Sequence, residues 1–222
     1  MPFVERGQSF SVRTSSAGYR GAEPSPGAVL CLGDSTTFGW GVAESEAWPA
    51  VLAALLGRPV TNGGVPGYST HQGLARIDQA LATHPAVVVL AYEVRDAERA
   101  LTPDDARASP PDLHLLRLMR RPAQGKAAKS VEPSGFRVPP DRYRANLQAL
   151  ISRVEAAGAK VMLLDFPMVE PSQEHQQVLR ELGGRTPLSS PVLNRELFFA
   201  EDPIHLTPEG HRALAQRVTE LF

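Results

Sequence analysis

Residues 30–41 read LCLGDSTTFGWG. An apolar run, AVLCL over 28–32, stops abruptly at Gly33, Asp34 and Ser35. A short apolar segment bounded by turn residues suits a buried strand. In an open parallel sheet, ligands collect at the carboxyl ends of the strands, and Ser35 stands at such an end. A serine hydroxyl is a weak nucleophile, so its reading depends on whether a base for it exists elsewhere in the chain.

Outward from this stretch, strand and helix signals alternate. AESEAWPAVLAALLG (43–57) places Trp48, Val51, Leu52, Leu55 and Leu56 at helical spacing, with Ser45 as N-cap and Pro49 near the first turn. PVTNGGVPG (59–67) reads as a second strand running into a turn-rich loop. HQGLARIDQALATH (71–84) is a helix with Leu74, Ile77, Ala80 and Leu81 on one face. AVVVLAY (86–92) is the clearest strand, β-branched and apolar, and so covered on both faces. DRYRANLQALISRVEAAG (141–158) is an amphipathic helix, KVMLLDFP (160–167) a fourth strand, and PSQEHQQVLRELGG (171–184) a helix. Residues 185–200 are ambiguous, with a short last strand near TPLSSPV. LTPEGHRALAQRVTELF (206–222) closes the chain as a helix capped by Thr207, with Pro208 in the first helical position. Such alternation implies right-handed crossovers and a parallel sheet between two helix layers.

Two stretches stand outside the alternation. Residues 1–27 are polar and read as an extended lead-in to a single domain over 28–222. Residues 103–140 hold many of the 20 prolines and a basic run, RLMRRPAQGKAAK (117–129), and read as an insertion on the active-site side. A basic run of this kind is most simply a solvated face.

The composition narrows the function. The chain has 222 residues, enough for one large domain, with 42% apolar residues and a net charge of −1. A balanced charge argues against nucleic acid or an anionic membrane as partner. One cysteine, Cys31, leaves neither a disulfide framework nor a cysteine-rich metal site. No apolar segment has membrane-spanning or signal-peptide length, so the chain as written reads as cytoplasmic, or as exported or tethered if a segment precedes it. Oligomeric state is left open. His84, His114 and His175 have no ligand-spaced partner, so no metal site and no cofactor are expected.

Familiar loop motifs fail at 30–41. A P-loop needs GxxxxGK[ST], but five residues separate Gly33 from Gly39 and no lysine follows. GxGxxG lacks its third glycine at Glu44, and GxSxG fails because Thr37 occupies the last glycine position. Among six histidines, His205 stands out in EDPIHLTPEGH (201–211). Asp202 precedes it by three residues, close enough in a turn to hold the imidazole by one nitrogen and leave the other for Ser35. A capped, solvated turn would give the same spacing.

Gly-Asp-Ser after the first strand, with Asp-x-x-His before the last helix, resembles the SGNH (GDSL-type) hydrolase family. Asn62-Gly63-Gly64-Val65-Pro66-Gly67-Tyr68-Ser69, followed by Gln72-Gly73-Leu74, is similar to that family's second block. The resemblance implies a three-layer, flavodoxin-like α/β/α sandwich with a parallel sheet of about five strands. It also implies Ser35 as nucleophile, His205 as general base and acid, and Asp202 as the residue orienting His205. The backbone N–H groups of Ser35 and Gly67 would form the oxyanion hole. The substrate would be a small-molecule ester, within a family spanning lipid esters, thioesters and O-acetyl groups on sugars.

The family's third block, Gly-x-Asn-Asp, is altered here to Glu93-Val94-Arg95-Asp96. Arg95 stands where the asparagine, normally the third oxyanion donor, would be. Arg95 either donates to the oxyanion itself, or pairs with Glu93, Asp96 or Glu98 and leaves a two-donor hole, or marks a fold that now only binds. Trp40 and Trp48 read as packing residues near the site, Tyr68 and His71 as pocket lining or surface loop, and His211 as structural. The expected activity is ester hydrolysis through an acyl-enzyme on Ser35. An acyltransferase using the same residues and a binding module are the alternatives.

Overall fold

The structure, a computed structural model, describes residues 2–5, 8–100, 102–107, 135–164, 172–183, 195–200, 202 and 204–222. Its strands are β1 (Pro2–Glu5), β2 (Gln8–Ser11), β3 (Val29–Gly33), β4 (Val60–Gly64), β5 (Val87–Ala91), β6 (Arg99–Ala100), β7 (Gly135–Phe136) and β8 (Lys160–Leu163). Its helices are α1 (Ser35–Phe38), α2 (Trp48–Leu56), α3 (Thr70–Leu81), α4 (Asp104–Arg107), α5 (Pro140–Ala156), α6 (Gln173–Glu181) and α7 (Pro208–Thr219).

β3, β4, β5 and β8 form one parallel sheet in the order β4-β3-β5-β8. Period-2 alternation divides their side chains between two helix layers. Leu30, Leu32, Val88 and Leu90 pack with Ile77 of α3, Tyr143, Leu147 and Leu150 of α5, and Val178 and Leu179 of α6. Val29, Cys31, Val89 and Ala91 pack with Trp48 and Leu52 of α2, and Leu214, Ala215 and Val218 of α7. All five residues of β3 are buried, which is why its sequence is apolar without alternation. Each fully buried Leu or Val contributes roughly 1.5–3 kcal/mol. An exposed pair such as Arg153–Asp78, 2.7 Å apart, adds about 0–1 kcal/mol, so the two apolar faces hold the sheet.

The strand order positions the site. From β3 the chain crosses to β4 on one side, then returns to β5 on the other, so the crossover direction reverses at β3. The crevice outside the carboxyl ends of strands at such a point is where doubly wound folds bind ligands. Gly33 of β3 is in register with Gly64 of β4 and Ala91 of β5. The segments after all three strands therefore emerge along one edge.

The described residues hold four of the about five strands expected in the main sheet, and the strand expected near 186–192 lies outside them. Other expectations need correction. Helix α2 begins at Trp48 with Ala47 as N-cap, not Ser45. A start at Ser45 would set Pro49 where the first intrahelical N–H is needed. A start at Ala47 puts it within the first turn, where no N–H is required. Residues 1–27 are more than an extended lead-in. β1 and β2 pair antiparallel, and Arg20 makes bridges to Thr14 and to Asn62 of β4. The ends of the 103–140 insertion are also built in, with β7 pairing antiparallel to β6. The basic run at 117–129 lies outside the described residues.

Candidate active site

Asp34 ends the turn after β3 and caps α1, its carboxylate accepting from the Thr36 N–H at 2.8 Å. Ser35 is thereby the first residue of a four-residue helix, fixed at the sheet's edge. Two glycines make this approach possible. A Cβ on Gly33 would lie 2.5 Å from the Ala91 carbonyl oxygen, and one on Gly64 would strike the backbone of Thr37 and Phe38.

The base comes from 170 residues further on. Phe198 and Leu206 bridge antiparallel, the Phe199 N–H donates to the His205 carbonyl at 3.1 Å, and Thr207 caps α7. Within this turn the Asp202 carboxylate accepts from the N–H groups of Ile204 (2.9 Å) and His205 (3.2 Å). Its other oxygen lies 2.6 Å from His205 Nδ1, and His205 Nε2 lies 2.9 Å from Ser35 Oγ. With Nδ1–H donating to Asp202, Nε2 is left to accept from the Ser35 hydroxyl. Burial alone would raise the Asp202 pKa. The bond from His205 and the two backbone N–H groups outweigh it and hold the carboxyl below its usual range. Ser35, Asp202 and His205 are all buried, at 2%, 6% and 9% exposure, so little water competes for these hydrogen bonds.

Gly67 sits in the turn Val65-Pro66-Gly67-Tyr68, closed by a bond from the Tyr68 N–H to the Val65 carbonyl at 3.1 Å. Its φ is +81°, the left-handed value that position three of a type II turn demands and that only glycine adopts freely. Among the described residues beyond its chain neighbours, no atom lies within 4 Å of a hypothetical Cβ there, so conformation rather than space explains this glycine.

The Arg95 side chain is only about one-fifth exposed, and its guanidinium reaches Glu98. Its Nη1 lies 3.4 Å from the Glu98 carboxylate. Burial raises the pKa of Asp34, and the charges of Arg95 and His205 act against that rise. Glu93 is fully buried. Asp96 is buried too, accepting from the backbone N–H and hydroxyl of Thr70 at the start of α3. Burial drives its pKa up to about 7 despite those bonds. A groove of about 590 Å³ runs past Arg95 and Ile204, with Glu98, Arg99, Ser172 and Glu174 in its walls.

The remaining candidates divide clearly. Trp48 is fully buried in the core, and Trp40 packs edge-on to Phe10 at 5.3 Å. The Tyr68 hydroxyl accepts from Arg76 at 3.1 Å. His175 bonds to Ser172 and the Val138 carbonyl, and His211 Nδ1 accepts from the Trp48 N–H. His114 lies outside the described residues. Among the described residues, no group of three or more His, Cys, Asp or Glu is placed to hold a metal, and no helix is long and apolar enough to cross a membrane.

Sequence reasoning missed two arginines. Arg20, only 4% exposed, donates to the carbonyls of Phe38, Gly39 (2.5 Å) and Val42 (2.7 Å), and its guanidinium lies 4.5 Å over the Phe38 ring. Arg137 donates to the Gly67 carbonyl at 3.0 Å. Both lie in stretches with no periodicity, so no local signal marked them.

Fold and site together define a class: a doubly wound α/β/α protein with a serine–histidine–aspartate array at its crossover reversal. The model of the "GDSL-like Lipase/Acylhydrolase" family matches residues 31–213, and the chain belongs to that family. An arylesterase from Vibrio mimicus is 38% identical over 81 residues, which take in 34% of this chain and 40% of that protein's length. A protein from Desulfitobacterium hafniense, described as lipolytic and of the G-D-S-L family, shares the fold at a TM-score of 0.62 and 16% identity, covering 88% of this chain and 99% of its own. A catalytic mutant of an acetylxylan esterase from Geobacillus stearothermophilus does so at 0.58 and 17%, covering 89% and 94%.

Proposed function

We propose that this chain is a carboxylic ester hydrolase acting through an acyl-enzyme on Ser35. The Ser35 hydroxyl attacks the ester carbonyl while His205 Nε2 takes its proton. His205 then gives that proton to the leaving alcohol, and water repeats the sequence to release the acid. Asp202 keeps Nδ1 protonated and balances the imidazolium. The oxyanion is received by the backbone N–H groups of Ser35 and Gly67. The observation that carries this reading is the unbroken path from Ser35 Oγ to His205 (2.9 Å) to an Asp202 held anionic (2.6 Å).

Arg95 is assigned no part in the oxyanion hole, because its guanidinium is drawn toward Glu98. The hole then has two donors. Losing a third costs roughly 10²–10³ in rate, which slows such an enzyme without silencing it. The groove beside Ile204 sets Arg95, Glu98, Arg99 and Glu174 beside Val94 and Phe136, and this mix of charged groups with a small apolar face suits a polar, uncharged alcohol as leaving group better than a long acyl chain. Esters of short acids with sugars are the proposed substrates, in keeping with the acetylxylan esterase likeness. Hydrolysis of p-nitrophenyl acetate, butyrate and decanoate beside acetylated xylo-oligosaccharides tests this. Turnover should favour acetate and the acetylated sugars and fall at least about 10⁴-fold in Ser35→Ala. Equal turnover by Ser35→Ala, or preference for decanoate, contradicts the reading.

A further inference from the structure

Gly67 combines the most freely moving residue type with the most demanding position. Its φ is left-handed, and among the described residues beyond its chain neighbours no atom lies within 4 Å of where a Cβ would stand, so no side chain of its own anchors the turn. Arg137 Nη2 donates to the Gly67 carbonyl oxygen at 3.0 Å across 70 residues of sequence.

Arg137 is itself fixed from several directions. Its Nε and Nη2 bind the two oxygens of Asp104 at 3.1 and 2.9 Å, and Nη1 binds Glu98 at 3.1 Å. Asp104 is buried and also accepts from Ser69 Oγ at 2.7 Å and Gln72 Nε2 at 3.2 Å, the residues that cap α3 just after Gly67. Burial opposes both charges, yet these bonds outweigh it, leaving the Arg137 pKa raised and that of Asp104 lowered. Glu98 also lies 3.4 Å from Arg95, so the fork on Arg137 shares one carboxylate with the altered third block. A planar guanidinium can hold two carboxylates and a carbonyl at once, which a lysine ammonium on a flexible stem cannot do in fixed geometry.

We infer that Arg137 is a positioning residue, whose fork on Asp104 and Glu98 holds the Gly67 turn with its N–H aimed at the oxyanion. The inference rests on the proposed ester hydrolysis. Arg137 touches no reacting atom and acts through Gly67, so its loss should lower the rate of bond formation at Ser35 while substrate affinity stays put.

The test measures kcat and KM on p-nitrophenyl acetate, and the second-order rate of adduct formation with a small fluorophosphonate by intact mass. It compares the native chain, Arg137→Met, Arg137→Lys and Asp104→Asn, with thermal unfolding of each as a check on folding. Arg137→Met should label and turn over about 10- to 100-fold more slowly with KM within about twofold, below the full loss of an oxyanion donor. Millimolar guanidinium should restore part of that rate, and Arg137→Lys should fall between the two. Should Arg137→Met not fold, Asp104→Asn, which loosens the fork without removing it, carries the same prediction. A folded Arg137→Met or Asp104→Asn that labels at the native rate overturns the inference and leaves Ser35 as nucleophile standing. A native chain that does not label at all overturns the ester hydrolysis reading beneath it.

Discussion

Arg95 is the single residue on which the chemistry of this chain differs most from its family's pattern. A guanidinium could replace an amide donor, because it carries more N–H groups and a permanent charge. Its geometry argues otherwise: Nη1 is 3.4 Å from Glu98, whose side chain is nearly half exposed, so the pair is a loose surface contact rather than a buried clamp. Arg95→Ala should therefore lower kcat on p-nitrophenyl acetate by less than about tenfold. A loss of roughly 10²–10³ in kcat at steady KM would instead make Arg95 an oxyanion donor. Sequence alone identified Arg95 as anomalous but left its direction open, because direction depends on Glu98, Arg137 and Asp104 meeting in space.

Helix α1 is too short to persist alone, since a helix of four residues has hardly repaid its nucleation cost. Its two ends are held by different means. Asp34 caps the start, a signal readable in Gly-Asp-Ser because aspartate before a helix is a local preference. Arg20 holds the far end, where it reaches the Phe38 and Gly39 carbonyls from a segment that looks like featureless lead-in. Asn62 Nδ2 shares the Phe38 carbonyl at 3.2 Å. Burial lowers the Arg20 pKa to about 10, so the fold tolerates a desolvated cation to keep those carbonyls satisfied. Arg20→Met removes its bonds to three carbonyls; Phe38 keeps Asn62 and Gly39 keeps the Val42 N–H, so each lost bond costs about 0.5–1.5 kcal/mol, partly offset by removing a buried charge. A net loss of roughly 2 kcal/mol should lower the thermal midpoint by about 4–8 °C in a chain of this size. A midpoint within 1 °C, about a quarter of the smallest drop expected, would show that Arg20 is not a clasp.

At the scale of the whole molecule, the order of the strands and helices was legible because burial on two faces writes itself into β3 and β5 as unbroken apolar runs. Ser35, Asp202 and His205 were legible as separate signals, and only the crossover at β3 brings a serine and a histidine 170 residues apart to 2.9 Å. The arginine contacts were not legible, since each joins stretches distant in sequence with no period of their own. The same convergence buries charge. Asp96, up to about 7 when folded against about 3.9 for a free aspartate, binds its proton more tightly in the folded state. Its contribution to stability is therefore fully present below about pH 4 and is lost as pH rises toward 7. Denaturant unfolding from pH 4 to 8 should show native stability declining relative to Asp96→Asn across that window. Parallel curves would contradict the assignment.

The central claim is that Ser35 is activated by His205, and intact-protein mass after incubation with a small fluorophosphonate tests it most directly. The native chain should gain one adduct, located on Ser35, and Ser35→Ala none. A folded native chain that gains no mass, or a Ser35→Ala variant that gains as much, would contradict it.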